Sequence, residues 1–214
     1  MSADTQDRLI KAAAVLFAEQ GFDNVTVREI CKASHANVAA VNYHFGDKAG
    51  LYRAIIKYAI AVMIETNELS QKAGEGLSPE DQIREFAKVF VRRVTGDGPN
   101  AWIHKLMVRE MEQPTEALDL VMNQVIRPRL DYLSRVAGAI MGLPPEDQRV
   151  RRSVASLQGQ VLMAARKVPA PLAKTWGGVA PDLDALATHI AEFSIGGMRT
   201  IASREPANGD QRPR

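Results

Sequence analysis

Between Thr26 and Gly46 the 214-residue chain carries a dense run of helix-capping signals, and they leave little freedom in the local fold. Thr26-Val27-Arg28-Glu29 is a capping box: the N-cap hydroxyl accepts from the amide three residues on, and the glutamate carboxylate reaches back to the amide of the cap. A short helix therefore runs from about 27 to 33. Ser34-His35-Ala36 then interrupts the pattern, and Asn37 is suited to cap a further helix, VAAVNYHF, that Gly46 stops. Two short helices joined by a turn of about four residues have the spacing of a helix-turn-helix, whose later helix enters the DNA major groove. Eight residues at a rise of about 1.5 Å give a helix about 12 Å long, which matches a groove about 12 Å wide.

The remaining sequence is helical throughout. Residues 5–20, TQDRLIKAAAVLFAEQ, repeat apolar side chains at three- and four-residue steps and stop at Gly21. Asp47 can cap a long helix reaching roughly Leu69, and a Gly/Ser/Pro linker follows between Gly74 and Pro79. Apolar stripes then mark 79–95, 100–112, 115–141, 145–167 and 181–203, with a long loop, VPAPLAKTWGGVAP, before the last. With no strand pattern and no repeat, the expected fold is all-α with about nine helices. A three-helix DNA-binding head at 1–48 is followed by a larger helical body for ligand binding and dimerisation at 49–204, then a polar, disordered tail at 205–214.

Composition narrows the function classes. The chain is 46% apolar, enough for a buried core, and no run approaches eighteen uninterrupted apolar residues. A single cysteine, Cys31, excludes an internal disulfide framework and fits a reducing, cytoplasmic setting; it is expected to be a buried, inert thiol. Net charge is only +2, and residues 1–48 hold five basic against six acidic side chains, so placement rather than total charge must carry any case for DNA. The four histidines are scattered without i, i+4 pairing, so no metal site is expected, nor is a cofactor. Adjacent Tyr43 and His44 point about 100° apart on a helix and do not converge on one reacting atom, and no nucleophile-base or paired-carboxylate set is apparent; no enzyme is expected.

Periodicity assigns faces to the helix after Asn37. Val41 and Phe45 should face a small core with Phe17, Val27 and Ile30, leaving Val38, Ala39 and Asn42 on other faces. Two alanines let the helix backbone sit deep in a groove and can touch a thymine methyl, and the asparagine amide can pair with adenine or phosphate. Tyr43, His44 and Lys48 suit phosphate oxygens. The segment TVREICKASHANVAAVNYHFGDKAGLY resembles the DNA-binding segment of the tetracycline-repressor (TetR/AcrR) family, and the likeness runs from about Thr5 to Tyr52. That resemblance implies that Thr26, Arg28, Asn37, Val38, Ala39, Asn42, Tyr43, His44 and Lys48 face DNA. One departure stands out: the family's turn carries Gly-Val where this chain has His35-Ala36. Histidine tolerates the left-handed region at modest cost, so the turn is expected to survive. His35 is thereby placed beside the recognition helix.

In the last two helices Val150, Val154, Leu157 and Val161 form one stripe and Leu183, Leu186, Ile190, Gly197, Met198 and Ile201 another; the resemblance implies a four-helix homodimer interface there. Two heads about 34 Å apart would read a palindromic operator. The middle of the chain, with Arg109-Glu110, Pro114 and Ile126-Arg127-Pro128, resembles the C-terminal domain of the CecR-like branch of the family. Phe86, Phe90, Trp102, Met107, Met111, Met122 and Met163 supply aromatic and thioether groups for an apolar effector pocket, with Arg109, Glu110 and Gln158 orienting a polar group. The expected protein is a ligand-responsive repressor of this family. The alternative is a helical small-molecule-binding protein or enzyme with a vestigial or protein-docking helix-turn-helix.

Overall fold

The computed structural model describes residues 2–96, 98–164 and 182–204, all-helical with turns between. Ten α-helices occur among them: α1 Ser2–Gln20, α2 Val27–Ser34, α3 Val38–Phe45, α4 Lys48–Ala73, α5 Pro79–Thr95, α6 Trp102–Glu112, α7 Leu118–Val121, α8 Arg127–Met141, α9 Gln148–Ala164 and α10 Leu183–Ala202. A π-helical turn, Met122–Ile126, joins α7 to α8, so that Leu118–Met141 is one interrupted helix and the described residues hold nine helical rods. Pro128 explains the interruption. Its ring and missing N–H disturb the backbone one turn upstream, and a widened turn accommodates both. The carbonyl of Val125 in that turn accepts from Asn67 Nδ2 at 3.2 Å. The ends of the helices expected at 145–167 and 181–203, the 168–181 loop and the tail at 205–214 fall wholly or partly outside the described residues.

Packing divides the chain into two units, Met1–Asn67 with Gly96–Arg127, and Glu68–Thr95 with Pro128–Arg214. In the first, Leu9, Ala13 and Phe17 of α1, Ile30 of α2, Val41 of α3 and Leu51 and Ile55 of α4 are fully buried together, with Leu106 of α6 and Val125 closing the cluster. The expected inward face of α3 is thus present: Val41 is buried and Phe45 packs at the edge of the same core. Cys31 lies in this core too, and burial pushes its thiol pKa up.

In the second unit α5, α9 and α10 pack on one another around Ile83, Phe86, Phe90, Leu133, Leu157 and Ile195. The expected dimer stripes need correction here. Val150, Val154, Leu157 and Val161 of α9 and Ile190 and Met198 of α10 are no more than 3% exposed within the single chain, and Leu183 and Leu186 pack against the same cluster. A side chain with no exposed area has nothing to present to a second copy. Of the ten expected residues only Gly197 and Ile201 keep substantial exposure without joining that core. An apolar stripe marks the buried face of a helix but does not say which chain buries it.

Candidate nucleic-acid interface

The helix-turn-helix is built from its caps. The Thr26 amide donates to Glu29 Oε2 at 2.7 Å, the Thr26 hydroxyl donates to the same oxygen at 2.7 Å, and the Glu29 amide donates back to Thr26 Oγ1 at 3.3 Å. These bonds hold the Glu29 carboxyl below its usual pKa. At the other end of α2, His35 adopts φ 51°, ψ 41°, and its amide donates to the carbonyls of Cys31 and Lys32. It is the one non-glycine residue with positive φ among the described residues. The turn survives as expected, with histidine taking the left-handed conformation that glycine adopts most readily.

Asn37 Oδ1 accepts from the Ala40 amide at 2.8 Å, starting α3, and Gly46 ends it at φ 81°. Asp47 Oδ1 accepts from the Gly50 amide at 2.6 Å and starts α4. At this junction glycine is obligatory for a reason that the sequence hides: a Cβ on Gly50 would sit 1.9 Å from the Phe45 carbonyl oxygen. The carbonyl that ends the recognition helix lies directly against the start of α4.

Seven of the nine expected DNA-facing residues, Thr26, Arg28, Asn37, Val38, Ala39, Asn42 and Tyr43, are exposed; His44 and Lys48 are half-buried. Tyr43 stands furthest out at 82% exposure, with its ring edge-on to His44 at 5.0 Å. Three of the nine have additional employment within the chain. Thr26 and Asn37 spend an oxygen on caps, which leaves the asparagine NH2 for a ligand. Lys48 Nζ donates to the carbonyls of Phe22 and Val25 at 2.9 and 3.0 Å and lies 4.3 Å from the Phe22 ring centroid. Two of its three donors therefore pin the loop before α2, and one is left for a phosphate.

The residues expected to form an effector pocket are distributed over both cores. Phe86, Phe90 and Gln158 are buried in the second unit, whereas Trp102, Met107, Arg109, Glu110 and Met122 belong to the first. Met111 and Met163 are 56% and 58% exposed. Only Arg109 and Glu110 of the ten line the first unit's cavity of about 290 Å³, beside Phe17, Phe22, Asp23, Tyr52 and Thr115. Both are occupied by the protein. Arg109 Nε donates to the Ala18 carbonyl at 2.9 Å and another of its nitrogens to the Glu19 carbonyl, a cation seated on the C-terminal end of α1. Glu110, 2% exposed, accepts from the Tyr52 hydroxyl at 2.5 Å and from the Thr115 amide and hydroxyl at 2.8 and 2.6 Å. Burial first, then the Glu110 carboxylate, push the Tyr52 phenol pKa up. The link of α6 to α1 and α4 was not legible from spacing, because its partners are 58 and 90 or more residues apart.

Among the described residues no group of His, Cys, Asp and Glu side chains forms a metal cluster, and no helix is long and apolar enough to cross a membrane. The fold and the exposed α3 define a helix-turn-helix DNA-binding protein.

Residues 9–55 match the model of bacterial regulatory proteins of the tetR family, and residues 79–198 match that of the C-terminal domain of the HTH-type transcriptional dual regulator CecR. The chain is 32% identical to the HTH-type transcriptional dual regulator CecR of Shigella flexneri over 164 residues, covering 72% of this chain and 73% of that one. Its fold is similar to a TetR-like transcriptional regulator from Rhodococcus sp. RHA1, with TM-score 0.68 at 19% identity over 94% of this chain and 97% of the other. It is also similar to AibR, solved in complex with isovaleryl coenzyme A and operator DNA, with TM-score 0.65 at 17% identity over 90% and 96%. The chain belongs to the TetR family of transcriptional regulators, with a CecR-type C-terminal domain.

Proposed function

We propose that the protein is a homodimeric, ligand-responsive repressor that binds a palindromic operator through residues 1–48 and is released by a small, largely apolar molecule bound in the helical body at 49–204. The observation that carries the DNA-binding part is the outward face of α3: Val38, Ala39, Asn42 and Tyr43 project from a helix whose opposite face is anchored by Val41. Small side chains allow close approach to base edges, Asn42 reads adenine, and Tyr43 and His44 meet phosphates. The structural neighbour solved with an acyl coenzyme A and operator DNA supports coupling of an effector to DNA.

Dimerisation uses the faces of α9 and α10 opposite the core. Phe193 is 65% exposed and Leu162 39%. A Cβ added to Gly159, Gly196 or Gly197 would meet nothing within 4 Å among the described residues, so their small size serves no packing against them. A second copy gives it a use.

The test is a mobility shift with DNA flanking the protein's own gene, followed by selection from random duplexes. Wild type should enrich an inverted repeat, and Asn42→Ala should relax one position in each half-site at a cost of about 1–3 kcal/mol. An Asn42→Ala profile identical to wild type would remove Asn42 from base readout, and no shifted fragment at low salt would remove the DNA-binding function.

A further inference from the structure

The turn between α2 and α3 carries a side chain that the turn itself does not use. Main-chain bonds close it: the Ala36 amide donates to the Cys31 carbonyl at 3.0 Å and the His35 amide to the Lys32 carbonyl at 3.5 Å. Any residue that accepts φ 51° at this position would do the same, and glycine would do so without steric cost. The His35 imidazole is exposed, and it makes no hydrogen bond, ion pair or ring contact among the described residues. The backbone strain of His35 is therefore not offset by its side chain within the head. Residues held in such conformations cluster where a protein grips a ligand.

Placement and charge indicate the partner. His35 lies two residues before Asn37, the N-cap of α3, and consecutive Cα atoms are about 3.8 Å apart, so its Cα is within about 7.6 Å of the residue that opens the recognition helix. In a helix-turn-helix the first helix crosses the phosphate backbone and the N-terminal end of the second enters the groove, so the turn that joins them runs beside one strand. Arg28 and Lys32 are exposed one turn apart on α2, and neither forms an ion pair among the described residues. Glu29, the one carboxylate of α2, is occupied by the Thr26 cap. The flank of α2 that leads to His35 thus favours an anion.

We propose that His35 is a DNA contact, its imidazole N–H donating to a phosphodiester oxygen at the edge of the site read by α3. A neutral imidazole donates from one ring nitrogen and a charged one from both, so the bond forms in either state. The contact fixes the head on the duplex without reading sequence, because phosphates carry no base information. It rests on the DNA-binding reading above, and it assigns to that interface a residue placed by the conformation of the turn rather than by a helix face.

The test compares full-length wild type, His35→Gly and His35→Asn for affinity at low salt toward the enriched inverted repeat and toward a scrambled duplex of the same length, and for the melting temperature of the free protein. His35→Gly should bind both duplexes about tenfold more weakly, by the same factor, while its melting temperature rises. His35→Asn also tolerates the left-handed region and keeps an N–H donor, so its affinity should fall between those of His35→Gly and wild type. Unchanged affinity of His35→Gly overturns the proposal, as does a His35→Asn chain that binds no tighter than His35→Gly. A loss confined to the inverted repeat overturns it too, since that marks a turn that misplaces α3 rather than a missing phosphate contact. A fall in the melting temperature of His35→Gly would make the imidazole a structural group and has the same consequence. If wild type shifts neither duplex, the DNA-binding reading fails and this contact with it; if wild type shifts both and His35→Gly matches it, only His35 leaves the interface.

Discussion

His35 and Glu29 hold the two ends of α2, and each supplies a quantity that can be measured. A non-glycine side chain in the left-handed region costs about 1–2 kcal/mol, partly offset by the smaller entropy that histidine loses relative to glycine. His35→Gly is therefore expected to stabilise the protein by about 0.5–1 kcal/mol, read as a rise of about 1–4 °C in melting temperature; no rise, or a fall, would show that the imidazole makes a compensating contact. For Glu29 the folded pKa is depressed below its ordinary 4.5 by bonds from Thr26. A depressed carboxyl pKa contributes stability that is present above the unfolded value and is lost as pH falls through the folded one. Glu29→Gln should thus be less stable than wild type at neutral pH, with the difference shrinking below pH 4.5; a constant difference down to acid pH would rule out the titration of Glu29 as its source.

At the scale of elements, the setting of α3 against α4 depends on a glycine that has no side chain to announce its role. With the Phe45 carbonyl 1.9 Å from where its Cβ would lie, Gly50→Ala forces the end of the recognition helix away from α4. The clash is with backbone, which cannot rotate aside. Gly50→Ala should destabilise by about 1–3 kcal/mol and weaken operator binding; a variant with wild-type stability and DNA affinity would mean that the junction is soft. The sequence showed the capping roles of Asp47 and Gly46 here, because caps are local and depend on residue type. It could not show the close approach at Gly50, which depends on the angle between two helices.

For the whole molecule, the proposed homodimer gives the two faces of α9 and α10 separable roles. Phe193→Arg is predicted to dissociate the homodimer at micromolar concentration while leaving the monomer folded, as read by sedimentation and far-ultraviolet circular dichroism. Leu157→Ala, on the buried face, should instead lower stability by about 2–5 kcal/mol. A Phe193→Arg chain that sediments like wild type would move the interface elsewhere. The sequence alone determined the helical architecture, the start and stop of α2 and α3, and which side of α3 faces the core, since capping and 3.6-residue periodicity are local properties of the backbone. Only the tertiary structure decided that the stripes of α9 and α10 are filled by their own chain, that Lys48 pins the loop before α2, and that Arg109 and Glu110 tie α6 to α1 and α4. Each of these depends on which residues far apart in the chain become neighbours, and a one-dimensional pattern reports the face a helix buries but not the group that buries it.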